Sequence, residues 1–479
     1  MFALGIDFGT SNCTAYIADG TGKIIPVPLE DESTFLPSMV FTARREIALR
    51  QVSTNELSKR LRNALAENER NARNGEKKLE ESVLRKSIES AMKLEIAQDA
   101  NREYWDQSFF STLENGQTIL YGTSAINAYM EDPLSGLLVK SPKSFLGSNV
   151  NSAHFSKFQD VISTMLAHIK RKAEALVQSD ISKVIIGRPV NYHGISGQEG
   201  NNQALKIMED AARSAGFGYI QFFMEPVAAA LEFERSVTKE TIALVIDIGG
   251  GTTDCAIVKV GPDRIGKYDR DDDVLAYSGD RVGGTDFDES IAWENIMPLF
   301  GKDVKTSSGG IIPNSILADA ISTRNVPAQL RFGRVTEGKI AAMFKGVAND
   351  DLKNRLLQLH EYQLQHRLIH SAELAKMKLS NANLCTVPLN FIEDELVVSI
   401  SEKDFVESTE RLIHKIEKIV REVPWKSADA IFITGGMGSS PILQARLKDI
   451  FKGDASIQFG DMLGSVGKGL GYCATHLAN

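Results

Sequence analysis

Residues 4–12 read LGIDFGTSN, and residues 244–254 read LVIDIGGGTTD. In both, an apolar run ends on an aspartate and a Gly-Thr turn follows. A strand ending this way sets a carboxylate beside several backbone N–H groups. The N–H groups can hold phosphate oxygens. The carboxylates can hold Mg2+, mostly through water, because that ion keeps much of its hydration shell. Glycine lets the backbone approach a ligand, and the threonine hydroxyls add donors. Either stretch alone can be no more than a tight β-hairpin, but three glycines between Asp247 and Asp254 suit a plain strand turn poorly. Two such turns facing each other would grip one nucleotide from both sides, with the metal between them.

The elements that must position these turns are readable from periodicity. Residues 3–7 and 13–18 read as strands around the first turn, and 243–247 with 254–260 as strands around the second. Further strands are expected at 39–41, 184–190 and 430–436. Helical spacing appears at 157–178, 202–217, 287–300, 351–379 and 403–422, and the Gly-rich stretch 467–477 starts a closing helix. Residues 301–330, punctuated by Ser, Gly and Pro, read as loop. Strands alternate with helices throughout, so the class is α/β. From about Arg44 to Trp105 the chain is rich in Arg, Lys, Glu and Asn. Apolar residues there recur at helical spacing (Leu57, Leu61, Leu65; Leu79, Val83, Ile88), which predicts a helical hairpin turning near RNGE, 73–76. It is either a solvated insertion or a partner-docking surface.

Composition bounds the rest. A chain of 479 residues exceeds one core and implies several domains. A formal charge of −8 argues against a general nucleic-acid binder. The four cysteines, Cys13, Cys255, Cys385 and Cys473, lie far apart without a C-x-x-C, which suggests neither a disulfide framework nor a zinc site. No basic leader precedes the first strand and no apolar stretch is long enough to span a bilayer, so a cytoplasmic protein is expected. No P-loop motif occurs. HRLIH, 366–370, spaces two histidines like a metal pair but lacks the adjacent glutamate of a zinc protease. DRDDD, 269–273, lacks the glycine of a calcium loop and reads as a solvated turn.

In this order along the chain, GIDFGTSN, SPKSFLG (141–147), MEPVAAAL (224–231), DIGGGTTD, VGGTDFD (282–288), AELAKMKLS (372–380) and GGMGSSP (435–441) resemble the ATPase domain of the heat-shock protein 70 chaperones, in the actin-like ATPase superfamily. The resemblance implies two ribonuclease-H-like lobes around a cleft that holds ATP or ADP with Mg2+. Lobe I would comprise 1–238, with the helical insertion at about 44–115, completed by 458–479; lobe II would be 239–457. Gly9, Thr10, Ser11 and Asn12 would meet the phosphates from one side. Gly249, Gly250, Gly251, Thr252 and Thr253, with Gly283 and Gly284, would meet them from the other. Asp7 and Asp247 would hold the water shell of the magnesium. Lys143 would place positive charge near the γ-phosphate, while Glu225 and Asp254, assisted by Thr252, would orient the attacking water. Glu373, Lys376, Met377 and Ser380 would face the adenosine, together with Gly435, Gly436, Met437, Gly438 and Ser439.

Met377 stands where the family often has an arginine, so a cation–π contact to the adenine is lost there. Met437 and Ser439 likewise replace the serine and arginine expected in the Gly-Gly loop. The family continues into a linker, a peptide-binding β-sandwich and a lid. This sequence stops at Asn479, so the expectation is a monomeric, chaperone-like weak ATPase that engages a client or partner through its lobes or insertion. A filament-forming bacterial actin homologue and a small-molecule kinase of the same superfamily are the alternatives. SPKSFLG and the Leu-Ser end of AELAKMKLS look more like the chaperones than the actins, and the Glu-Pro-Val-Ala-Ala-Ala segment is not a kinase habit.

Overall fold

A computed structural model describes residues 1–31, 33–43, 52–73, 78–106, 119–146, 152–192, 197–451 and 456–479. The fold is α/β, with strands in mixed sheets flanked by helices. The first half supplies β1 (Phe2–Phe8), β2 (Asn12–Asp19), β3 (Ile24–Pro26), β4 (Phe35–Pro37), β5 (Met39–Ala43), β6 (Ile119–Tyr121), β7 (Gly136–Lys140), β8 (Lys183–Arg188) and β9 (Tyr219–Met224). The second half supplies β10 (Thr241–Ile248), β11 (Thr253–Val260), β12 (Val274–Asp280), β13 (Leu384–Pro388), β14 (Val397–Ser401), β15 (Ala430–Thr434) and β16 (Ser456–Phe459). The large sheets run β3-β2-β1-β8-β9 and β12-β11-β10-β15-β16. Each places an antiparallel hairpin beside a parallel strand, so one topology is written twice. The registers match as well. Asp7 lies opposite Thr14, and Asp247 opposite Asp254. The hairpins are therefore equivalent except that only the second carries another carboxylate at the matching position.

The helices of the first half are α1 (Thr54–Arg73), α2 (Glu81–Asp106), α3 (Gly122–Glu131), α4 (Ser152–Val177), α5 (Gly197–Ser214) and α6 (Glu225–Glu234). The expected hairpin at 44–115 is α1 against α2. The Asn68 side chain clamps it, its Nδ2 donating to Leu79 O at 2.8 Å and its Oδ1 accepting from Leu79 N at 3.0 Å. Its turn at 74–77 and its flanks at 44–51 and 107–118 lie outside the described residues. Leu57 and Leu61 are buried, as is Met92 on α2, while Leu79 and Val83 at the start of the second stripe are exposed.

The second half continues with α7 (Gly284–Ile291), α8 (Ser315–Ile321), α9 (Val326–Gly333), α10 (Glu337–Met343), α11 (Asp350–Glu361), α12 (Gln365–Leu379), α13 (Glu402–Glu422), α14 (Pro441–Ile450) and α15 (Ser465–Ala478). Two expectations change here. The stretch 301–330 is not all loop, because burial of Leu317, Ala320 and Ile321 gives α8 a core face and α9 follows. The helix expected over 351–379 is two helices, broken where Gln363 adopts a φ of 52°. α13 is amphipathic, with Phe405, Thr409, Ile413, Ile416 and Val420 inward. It starts at a reciprocal cap between Ser401 and Asp404.

α6 and α15 share a core with the facing sides of both large sheets. Ala3, Ala18 and Ile185 lie on one side, and Ala243, Val245 and Ala256 on the other. α15 follows the second sheet in sequence yet packs on β1, β2 and β8, while α6 follows the first sheet and packs on β10 and β11. The crossing depends on small residues: a Cβ on Gly469 would overlap the Ala228 carbonyl, which is backbone and cannot yield. Gly469→Val is expected to lower stability by roughly 2–3 kcal/mol or more. An unchanged urea midpoint would refute this reading of the crossing.

DRDDD is also not the solvated turn its sequence suggests. Arg270 and Asp273 are buried, and Arg270 grips Glu234 at the end of α6 at 2.7 Å and Asp273 at 2.6 Å.

Candidate functional site

The hairpin turns of the two large sheets meet. A Cβ on Gly250 would overlap Ser11 Oγ, and one on Gly251 would press on Thr10. The segment 283–285 braces the second turn from behind: Gly284 N donates to Gly249 O at 3.0 Å, and Thr285 N and Oγ1 donate to Gly250 O at 2.8 and 2.6 Å. Gly9, Asn12, Thr252 and Thr253 lie in or beside these turns, with Thr253 Oγ1 tied to Val282 O at 2.8 Å.

Between the turns lies a dense charge cluster. Lys143 Nζ reaches Glu225 Oε1 at 2.5 Å, and both side chains are buried. Lys143 sits in a short turn after β7, and Glu225 opens α6 with Pro226 behind it. Burial alone would lower the Lys143 pKa, but Glu225, Tyr192 and Asp7 outweigh it, and the ammonium is held above its ordinary value. The aspartates face the opposite balance. Asp7 and Asp254 are each pushed up to about 7, first by burial and then by the Glu225 charge. Asp247 is raised for the same reasons, with Asp254 and Asp7 adding repulsion.

Asp254 Oδ1 accepts from Val190 N at 2.8 Å, but its Oδ2 is buried without a hydrogen-bond partner. The Tyr192 hydroxyl is buried and equally unsatisfied. Unpaired buried polar atoms typically cost about 1–3 kcal/mol each. Carboxylates crowded in excess over one lysine, beside unsatisfied oxygens and glycine turns, fit a hydrated divalent cation and phosphate.

On the far side, Gly435 adopts a φ of +83°, and a Cβ there would overlap Asp247 Oδ1 and the Ile248 carbonyl. Gly284 lies close to Met437 and Lys376 Nζ. The polar heads on α12 already have partners. Lys376 pairs with Asp288 at 2.7 Å, and Glu373 pairs with Lys140 at 2.7 Å and with His370 at 3.3 Å. Burial opposes it, but His370 and Lys140 hold Glu373 well below the usual carboxylate range. The Ser380 hydroxyl turns back to the Lys376 carbonyl and that of Ser439 to the Gly436 carbonyl, while Met377 is 60% exposed. Gly438 N closes a turn on Gly435 O.

Sequence reasoning missed Lys140, Tyr192, Arg281 and Asp288. Arg281 donates to Ser144 O at 2.6 Å, next to Lys143, and Tyr129 Oη donates to Gln363 O beside the edge-on ring of His366. Lys140 and Asp288 sat inside or beside quoted motifs. Tyr192 followed a quoted strand without any signal of its own.

The histidines of HRLIH are used in packing and hydrogen bonding: His366 meets Tyr129 and His370 meets Glu373. Among the described residues no cluster of metal-ligating side chains is found and no helix is long and apolar enough to cross a membrane. The four cysteines are buried and free.

A family model described as Hsp70 protein matches residues 138–309, the stretch from β7 through Lys143, Glu225 and the second turn. Over that stretch the chain is similar to the Hsp70 family, and it matches DnaK chaperones at low identity. It is 25% identical over 358 residues to "Chaperone protein DnaK" of Mycoplasmopsis agalactiae, covering 71% of this chain and 48% of that protein. The same-named proteins of Endomicrobium trichonymphae and Thermosipho melanesiensis are 27% and 26% identical over 282 and 334 residues. These matches cover 57% and 65% of this chain and 42% and 44% of the relatives. The chain thus spans just under half the length of the Hsp70 relatives it matches. Proteins of the Hsp70 family generally use Mg-ATP.

Proposed function

We propose that this chain binds Mg-ATP between its two turns, hydrolyses it slowly to ADP and phosphate, and uses closure of two lobes as a switch for binding a client or partner protein. The observation carrying this reading is the meeting of Thr10 and Ser11 with Gly250 and Gly251 around the buried Lys143–Glu225 pair. The lobes would be 1–238 with 458–479, and 239–457. The position of α15 on the first sheet supports that division.

The turn N–H groups would bind phosphate oxygens, and Lys143 would neutralise charge at the γ-phosphate. Asp7 and Asp247 would hold a hydrated magnesium, which supplies further neutralisation. Glu225 and Asp254 would orient the attacking water, with Thr252 assisting. Phosphoryl transfer needs this positioning and charge compensation more than it needs a strong base. Glu373, Lys376, Met377, Ser380 and residues 435–439 would form the adenosine side.

The test is single-turnover hydrolysis of ATP with magnesium and no acceptor, followed by limited proteolysis in ATP and in ADP. Slow phosphate release to water and nucleotide-dependent cleavage are expected. Failure to bind Mg-ATP, or identical cleavage in both nucleotides, would sink the proposal. Tyr192→Phe probes the unsatisfied hydroxyl. A hydrogen bond from it to the water or to the phosphate would make the variant about 10- to 100-fold slower without loss of stability. An unaltered rate removes Tyr192 from the mechanism.

A further inference from the structure

Away from the turns, the second half carries a pocket of about 410 Å3 between α13 and the segment joining β12 to α7. Arg281, Arg411, His414, Lys415 and Lys418 line it, with Asp286 as the carboxylate among the lining residues. The α13 members fall at i, i+3, i+4 and i+7, on a face beside the buried one. No residue of either phosphate turn lines this pocket.

Its charge is only partly cancelled. Lys415 pairs with Asp280 at 2.8 Å and donates to the Arg281 carbonyl at 3.2 Å, and His414 lies 3.3 Å from Glu410. Asp286 is engaged by Arg324 and by Gly283 N. Arg411 and Lys418 are exposed and make no hydrogen bond or ion pair among the described residues. Arg281 spends one N–H on Ser144 O at 2.6 Å, and burial and then the Arg324 charge lower its pKa against the pull of Asp286 and Glu289. Like charges a turn apart on a helix are mildly destabilising. A chain of net charge −8 nonetheless gathers them around one hollow of ligand size. Arg411 and Lys418, with the remaining donors of Arg281 and Lys415, offer several hydrogen bonds to one anion. A dianionic phosphate, with three terminal oxygens, satisfies them better than a carboxylate with two.

We infer that this pocket binds a phosphate-bearing anion, either a free phosphate compound or a phosphorylated side chain of a polypeptide. The inference does not depend on nucleotide binding in the cleft. It is tested with the whole chain, comparing wild type with the double variant Arg411→Ala, Lys418→Ala, which removes two unpaired surface cations. The probes are sodium pyrophosphate, a peptide bearing two phosphoserines, and the same peptide unphosphorylated, titrated calorimetrically in EDTA. Any pyrophosphate held by the turns contributes equally to both proteins, so the difference between them reports on the pocket. At least one phosphate probe is expected to bind about tenfold more weakly to the variant, at an unchanged urea midpoint. Loss confined to pyrophosphate assigns a free anion, and loss on the phosphopeptide assigns a modified polypeptide. Equal affinity in both proteins, no binding of either phosphate probe, or equal binding of the unphosphorylated peptide overturns the inference. Mg-ADP affinity measured on the same samples judges the nucleotide reading separately. If Mg-ADP fails to bind while the tenfold difference persists, only that reading falls.

Discussion

Lys143→Ala is expected to slow single-turnover ATP hydrolysis by about 10²- to 10³-fold, the usual loss when one preorganised electrostatic contact is removed. The same substitution also acts on the fold. Lys143 is the cation 2.5 Å from Glu225, in a cluster where Asp7, Asp247 and Asp254 are already pushed towards neutrality by burial and mutual repulsion. Taking one partner from a buried pair leaves an uncompensated charge, typically worth about 3–5 kcal/mol. An unfolded variant would be slow as well, and a second substitution separates the two effects. Lys143→Met with Glu225→Gln removes both charges at similar volume, so it should regain most of the urea midpoint while staying slow. Hydrolysis by folded Lys143→Ala within about threefold of wild type would remove Lys143 from the site.

The second large effect is on pH. Asp7 and Asp254 titrate near 7 in the fold and near 3.8 in an unfolded chain. Between those values the folded state binds more protons than the unfolded state, so stability falls as pH rises and levels off above 7. A shift of this size corresponds to about 4 kcal/mol for one carboxylate, and because the groups interact, their contributions do not simply add. Two half-buried histidines oppose the trend. Burial, then Arg171, lowers His168 to about 4, and burial, then Lys140, lowers His366 to about 3. Both lose stability as pH falls below about 6.5. The decisive quantity is therefore the pH dependence of wild type minus that of Asp7→Asn, by urea unfolding in EDTA from pH 5 to 8. The difference should move against wild type as pH rises. Saturating Mg-ADP should reduce it, because a bound cation stabilises the ionised carboxylates. A flat difference, or one of opposite slope, would show that Asp7 ionises freely and that the site lacks the crowding described.

Much of the site was legible because it is local in the chain. Each turn is a few residues between two strands, and apolar runs ending in Asp7 and Asp247 fix both the strand and the position of its carboxylate. The cap at Ser401 and the amphipathic face of α13 were likewise written in short-range spacing. Elements whose helicity depends on a distant surface were read less well. α8 exists because Leu317 and Ile321 find a core, and the break between α11 and α12 sits at Gln363, whose carbonyl accepts from Tyr129 of the other half. DRDDD reads as solvent-facing until Glu234, 36 residues earlier, is seen to bury Arg270.

The sequence by itself determined the α/β class and the paired Asp–Gly–Thr turns, because strand alternation and turn chemistry act over a few residues. The tertiary structure alone decided that Thr10 and Ser11 face Gly251 and Gly250 and that Glu373 is held by Lys140, 233 residues away. It also decided that Arg281 links the second half to the turn bearing Lys143, and that cationic side chains of α13 converge on an open pocket. These contacts follow from how α6 and α15 lock the two sheets together. A contact across such an interface leaves no periodic trace in the chain.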